Sequence, residues 1–97
     1  MLTNELEEVR RIVLDGLKGK RARVYLFGSR AAGKAGKFSD IDVAILPLES
    51  MPPAWLSGIR EALEESRVLH SVDVVDLSEA TPAFRERVER EGVLWND

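Results

Sequence analysis

The spacing of apolar positions changes period several times along the chain, and each change marks an element. Leu2, Leu6, Val9, Ile12, Val13 and Leu17 recur at three- and four-residue steps, the stripe of a helix that Thr3 can cap and that runs to about Lys18. Glu5, Glu7 and Glu8 sit near its positive end and Lys18 near its negative end, and Gly16 and Gly19 bracket the exit. Arg21 to Phe27 reads as a strand that breaks at Gly28-Ser29. The good helix formers Arg30-Ala31-Ala32 predict a short helix start, and Lys34-Ala35-Gly36-Lys37 a flexible loop. A second strand spans Ile41 to Leu46. Ile41, Val43 and Ile45 occupy one face, Asp40, Asp42 and Ala44 the other.

Pro47 ends that strand, and Met51-Pro52-Pro53 forms a rigid connector. Trp55, Ile59, Ala62 and Leu63 keep helical spacing in a helix from about Pro53 to Ser66, with Pro at its first turn. A third strand lies within Val68 to Leu77. There Asp73 alternates with Val75 and Leu77, and Asp76 falls on the opposite face as an exposed strand end. Thr81-Pro82 starts a last helix by a capping hydroxyl followed by Pro; its thin apolar stripe is Phe84 and Val88, and Gly92 can end it. Val93-Leu94-Trp95 can add an edge strand or meet a partner. The expected fold is α/β (α+β), one domain over residues 1–97: a small mixed sheet of three to four strands with helices mainly on one face. The first two strands should pair antiparallel, because their link is too irregular for a crossover helix.

A chain of 97 residues with 44% apolar and 32% charged positions is an ordinary globular composition for one small domain. Small domains bury a smaller share of themselves, so some apolar surface can be reserved for a partner. There are no cysteines, which excludes disulfides and thiolate metal sites and suits a reducing cytoplasm. No apolar run approaches the roughly 20 residues of a membrane span, and no secretory signal opens the chain, so no membrane role is expected. The net charge of −3 counts against a general nucleic-acid binder. It does not exclude a local basic site, since Arg30, Lys34 and Lys37 share an acid-free segment.

The candidate chemistry concentrates around the Gly-Ser break. Gly28 permits a sharp turn and close approach of a ligand to the backbone. Ser29 can cap the turn, and free N–H groups at a helix start suit a phosphate. Lys34 and Lys37 are either triphosphate contacts or solvated side chains. Asp40 and Asp42 point the same way, roughly 6.5–7 Å apart along the backbone, a spacing at which two carboxylates can share hard cations such as Mg²⁺. Asp73 stands among valines, where an isolated carboxylate is costly unless paired or bound to metal. A phosphate cradle beside a carboxylate pair is what metal-assisted phosphoryl or nucleotidyl transfer needs. His70, the single histidine, could accept a proton, though a lone histidine at a strand entry is more often structural or exposed. No side chain looks like a dedicated nucleophile for a covalent intermediate.

Gly28-Ser29 and the later Ser39-Asp40-Ile41-Asp42 resemble, in order and spacing, the GSxARG…SDID signature of the minimal nucleotidyltransferases of the polymerase β superfamily. One departure is visible: Ala32 stands where the family usually has Arg, with Arg30 as the nearby charge. The resemblance implies the nucleotidyltransferase fold and direct transfer of a nucleoside monophosphate, AMP from ATP being the expected case. It implies a catalytic and metal set of Asp40, Asp42 and Asp73 holding two Mg²⁺ ions, with Gly28, Ser29 and Arg30 binding the nucleotide. Asp73 matches the family's third acid better than Asp76 does.

Few residues follow the third Asp, so a separate acceptor-binding domain is not expected, and the acceptor surface would come from a second copy, a partner or the acceptor itself. Minimal members of the family are often paired with small helical HEPN proteins as toxin and antitoxin, which implies a HEPN-type toxin as acceptor and an antitoxin role for this chain. Two other readings stay open: a fold that neutralises a helical partner by contact alone, with Ala32 marking weakened catalysis, and a transferase acting on RNA or a small molecule.

Overall fold

The computed structural model describes residues 5–28 and 40–96. Among these residues three α-helices and four strands follow one another as α1 (Glu5–Gly16), β1 (Ala22–Phe27), β2 (Ile41–Pro47), α2 (Trp55–Glu64), β3 (Val72–Asp76), α3 (Pro82–Glu91) and β4 (Val93–Leu94). The strands form one mixed sheet in the order β3-β2-β1-β4. β1 and β2 pair antiparallel, as expected. β2 and β3 pair parallel, and α2 supplies the crossover that a parallel pair needs. The apolar tail pairs antiparallel with β1, Leu26 opposite Val93 and Tyr25 opposite Leu94. Thr3, Leu2 and the segment holding the expected short helix and lysine loop lie outside the described residues.

The alternation in β2 decides the layering. Ile41, Val43 and Ile45 are fully buried, in one cluster with Val9, Ile12 and Val13 of α1 and Ile59 and Leu63 of α2. Gly16 lets the two helices approach: a Cβ there would lie 2.6 Å from Ile59 Cγ1. The opposite face carries a smaller cluster, Tyr25, Ala44, Leu46, Leu77 and Val88, beneath α3. Helices therefore lie mainly on one face, with α3 covering part of the other.

Several local expectations need revision. α2 starts at Trp55 rather than Pro53, behind Ala54, whose φ of 62° turns the chain out of the Pro-Pro connector. Ala62 is exposed, and the half-buried Leu56 packs on the core instead. Gly92 ends α3 as expected, with a φ of −77° rather than a left-handed one. Glycine is needed there for proximity, because a Cβ would sit 2.6 Å from Val88 O and 3.2 Å from Leu26 O. Thr81 caps α3 as expected, its Oγ1 accepting from Phe84 N at 3.2 Å.

The strand pairing of β4 continues through the next residues. Trp95 N donates to Val24 O at 2.7 Å, and Asn96 then imitates a backbone pair: Oδ1 accepts from Val24 N at 2.8 Å and Nδ2 donates to Ala22 O at 2.7 Å. Arg10 Nε of α1 donates to Trp95 O at 2.9 Å and ties this strap to the first helix.

Candidate functional site

The candidate site lies where three strands run out together. β1 ends in Phe27, which pairs with Asp42 of β2, and Asp42 in turn pairs with Asp73 of β3. Register partners share a face of a sheet, so the side chains of Phe27, Asp42 and Asp73 lie in a row on the α3 side. Asp40 enters the same strand two residues earlier and is exposed. The sequence alternation thus brings Asp42 and Asp73 together across a parallel pair.

Gly28 completes the corner. Its φ of 79° belongs to the left-handed region that side chains disfavour. A Cβ built there would also run into Asp42 Oδ2. Glycine is required twice over, for the turn and for the carboxylate beside it. Beneath the row, Phe27 meets Phe84 of α3 edge to face, with ring centroids 5.6 Å apart and planes at 85°.

The electrostatics follow from the crowding. Burial pushes the Asp42 carboxyl above its usual range, and the negative charges of Asp73 and Asp40 push the same way. Asp73 itself is exposed, because β3 is an edge strand. The expectation of a carboxylate caught inside a buried strand is therefore wrong: what marks Asp73 is its place opposite Asp42. Asp76 is also not a free strand end. It is half-buried, and its Oδ1 accepts from Ser78 N at 2.9 Å and Ser78 Oγ at 2.7 Å, capping a 3-10 turn over Leu77–Glu79.

Asp40, Asp42 and Asp73, the expected metal set, carry hard carboxylate oxygens that suit Mg²⁺ in kind. Among the described residues, however, no group of three or more His, Cys, Asp or Glu side chains is placed so that it could hold a metal ion. Ser29 and Arg30, the other expected nucleotide contacts, and Lys34 and Lys37 lie outside the described residues. His70 Nδ1 meets Glu5 Oε1 at the start of α1, and His70 lines one hollow together with Asp73. Sequence reasoning missed that partner, and it missed Arg60, whose guanidinium donates to Val74 O at 2.6 Å. Neither pairing has a local sequence signal, since the partners are joined only by the fold.

The corner thus sets acids on adjacent strands beside a glycine turn in a mixed sheet. The model of the polymerase β nucleotidyltransferase family matches residues 18–95, and the chain belongs to that family. Within it, the chain is 37% identical over 67 residues to a probable protein adenylyltransferase, MntA, of Haemophilus influenzae; the match covers 69% of this chain and 59% of that protein's length. A crystal structure of a toxin–antitoxin complex with AMP-PNP superposes with a TM-score of 0.74 at 26% identity, over 97% of this chain and 73% of that one. A candidate minimal nucleotidyltransferase of known structure superposes with a TM-score of 0.71 at 31% identity, covering 91% of this chain and 90% of the other. Among the described residues no helix is long and apolar enough to cross a membrane.

Proposed function

We propose that this chain is a magnesium-dependent nucleotidyltransferase that moves AMP from ATP onto a hydroxyl of a partner protein, a HEPN-type toxin, and acts as its antitoxin. The observation that carries the reading is the Asp42–Asp73 register across β2 and β3, with Gly28 folded against the Asp42 carboxylate. The name of the Haemophilus relative and the ATP analogue in a similar toxin–antitoxin complex support the donor and the kind of acceptor.

Asp40, Asp42 and Asp73 would hold the magnesium. Their mutual repulsion, felt at Asp42, is what a divalent cation relieves. When bound, magnesium neutralises the triphosphate and the departing pyrophosphate and makes an acceptor hydroxyl more acidic. The chain's own groups do the rest. The Gly28 turn offers backbone to the terminal phosphates, with Ser29 and Arg30 supplying a hydroxyl and a positive charge. The exposed Asp73 stands on the open side, where an acceptor hydroxyl can approach and lose its proton through the carboxylate to water. The hydroxyl oxygen bonds to the α-phosphorus, the bond from that phosphorus to the bridging oxygen breaks, and pyrophosphate leaves.

The test is mass spectrometry of a co-purified partner incubated with this chain, ATP and Mg²⁺. Addition of AMP to the partner is expected, and it should vanish with Asp42→Ala while circular dichroism stays unchanged. Tight binding without a mass gain would favour neutralisation by contact, which Ala32 in the place of the family's Arg would suit. Label on RNA or a small molecule would move the acceptor elsewhere.

A further inference from the structure

We propose that the open edge of β3 is the docking strip for the acceptor: an extended, basic segment of the partner protein adds beside β3 as an outer strand and brings a hydroxyl-bearing side chain to Asp73. What the strip is for rests on the transferase reading above; the strip itself stands on separate observations.

β3 is one margin of the sheet and β4 the other. The β4 margin is two residues long. β3 is longer, five residues, and carries a candidate catalytic acid. Ile41 N donates to Ser71 O at 2.9 Å, so the Ser71 carbonyl faces β2. Successive backbone groups of a strand turn to alternate sides, which aims the N–H and C=O of Val72 and Val74 outward. The bond from Arg60 to Val74 O agrees with that direction. Among the described residues Arg60 is the one partner that these outward groups have.

Two hollows meet at Arg60, Asp73 and Val74 and run along this edge. One of about 370 Å³ reaches Leu56, Asp76 and Glu79, and one of about 300 Å³ reaches Leu63, Glu64 and Val72. Among the described residues their charged rim is Glu64, Asp73, Asp76 and Glu79 against Arg60, with His70 lining the second hollow. This excess of acids favours a basic occupant. A strand added outside β3 would lie about 4.8 Å away, and the residue opposite Asp73 would put its side chain on the face that Asp42 and Asp73 share. Backbone pairing sets the register, and the register sets which hydroxyl reaches the acids. Arg60 blunts the edge until the segment arrives.

The experiment uses the whole chain without nucleotide, so that docking is read apart from transfer. The probes are synthetic peptides of alternating lysine and threonine with one central tyrosine or serine, and a counterpart with glutamate for lysine. Amide hydrogen exchange should slow at Val72 and Val74 with the basic peptides and not with the acidic one. Methylating the peptide amides that face β3 should weaken binding about tenfold or more, and methylating the alternate amides should not. Arg60→Ala should strengthen binding. Unchanged exchange at Val72 and Val74, equal effects of the two methylation registers, or weaker binding by Arg60→Ala would each overturn the proposal. So would the same protection appearing with rising concentration of the chain alone, which would give the edge to a second copy. Radiolabelled ATP then separates the two readings: docking without transfer defeats the transferase, and transfer without protection at β3 defeats the strip.

Discussion

The two faces of β2 live in different surroundings, and the difference explains how so small a sheet can carry the site. On one side Ile41, Val43 and Ile45 have no exposure at all and lie under α1 and α2. On the other, Ala44 and Leu46 are buried beneath α3, but Asp42 is only half-buried and Asp40 is exposed. The first face is sealed from Ile41 to Ile45. The second is sealed only where Leu77 and Val88 cover it. Close packing on the sealed face fixes the strand, and a fixed strand can hold like charges side by side at its open end, where a chemical site needs them.

The comparison breaks first at the sealed face. Ile45→Ala removes a side chain with no exposure and should cost about 2–5 kcal/mol of unfolding free energy, measured by urea denaturation. A loss under 1 kcal/mol would mean that the face is not a tight platform. Next comes the corner. Gly28→Ala meets both a φ of 79° and the Asp42 carboxylate, and should cost about 1–3 kcal/mol in the same assay. AMP transfer should fall with it, because the added methyl displaces Asp42.

The open end should behave in the opposite sense. Asp73→Asn removes a negative charge that Asp42 feels across the parallel pair. A like charge directly opposite is worth about 0.2–1 kcal/mol of destabilisation, so the variant should melt slightly higher, and it should transfer no AMP. A clear drop in melting temperature would show that Asp73 serves the fold rather than the site, and the two faces of the sheet would no longer differ in kind.

Much of this division was legible in the sequence because it rests on period. The alternation of Ile41, Val43 and Ile45 with Asp40 and Asp42 assigned both faces of β2 from side-chain direction alone, and the irregular link gave the antiparallel partner. Gly28 was legible as a turn, but its contact with Asp42 is a property of the pairing. Asp73 was placed on the right face for an incomplete reason: strand order is decided by the whole sheet, and that order leaves Asp73 at an exposed margin. Gly92 was legible as the end of α3, but the crowding it relieves, against Val88 O and Leu26 O, is a property of the fold. The Asn96 and Arg60 contacts had no local signal, because they join positions far apart in the chain.

The smallest effect tests the sealed side at its outer end, where α1 meets the loop before β3. Glu5 Oε2 accepts from the backbone N–H groups of Leu69 and His70, and its Oε1 meets His70 Nδ1. Burial alone would raise the Glu5 carboxyl, but the Leu69 N–H bond and the His70 contacts outweigh it and hold the group below its ordinary value of 4.5. A carboxylate whose value is lower in the folded chain than in the unfolded one stabilises the fold above the ordinary value. That contribution fades as pH falls through the lower, folded value. Between about pH 5 and pH 3 the parent chain should therefore lose melting temperature faster than Glu5→Gln, with the gap between them closing by about 1–3 °C. Parallel slopes across that range would mean that Glu5 binds the loop no better as a carboxylate than as an amide, and that packing alone seals this end of the core.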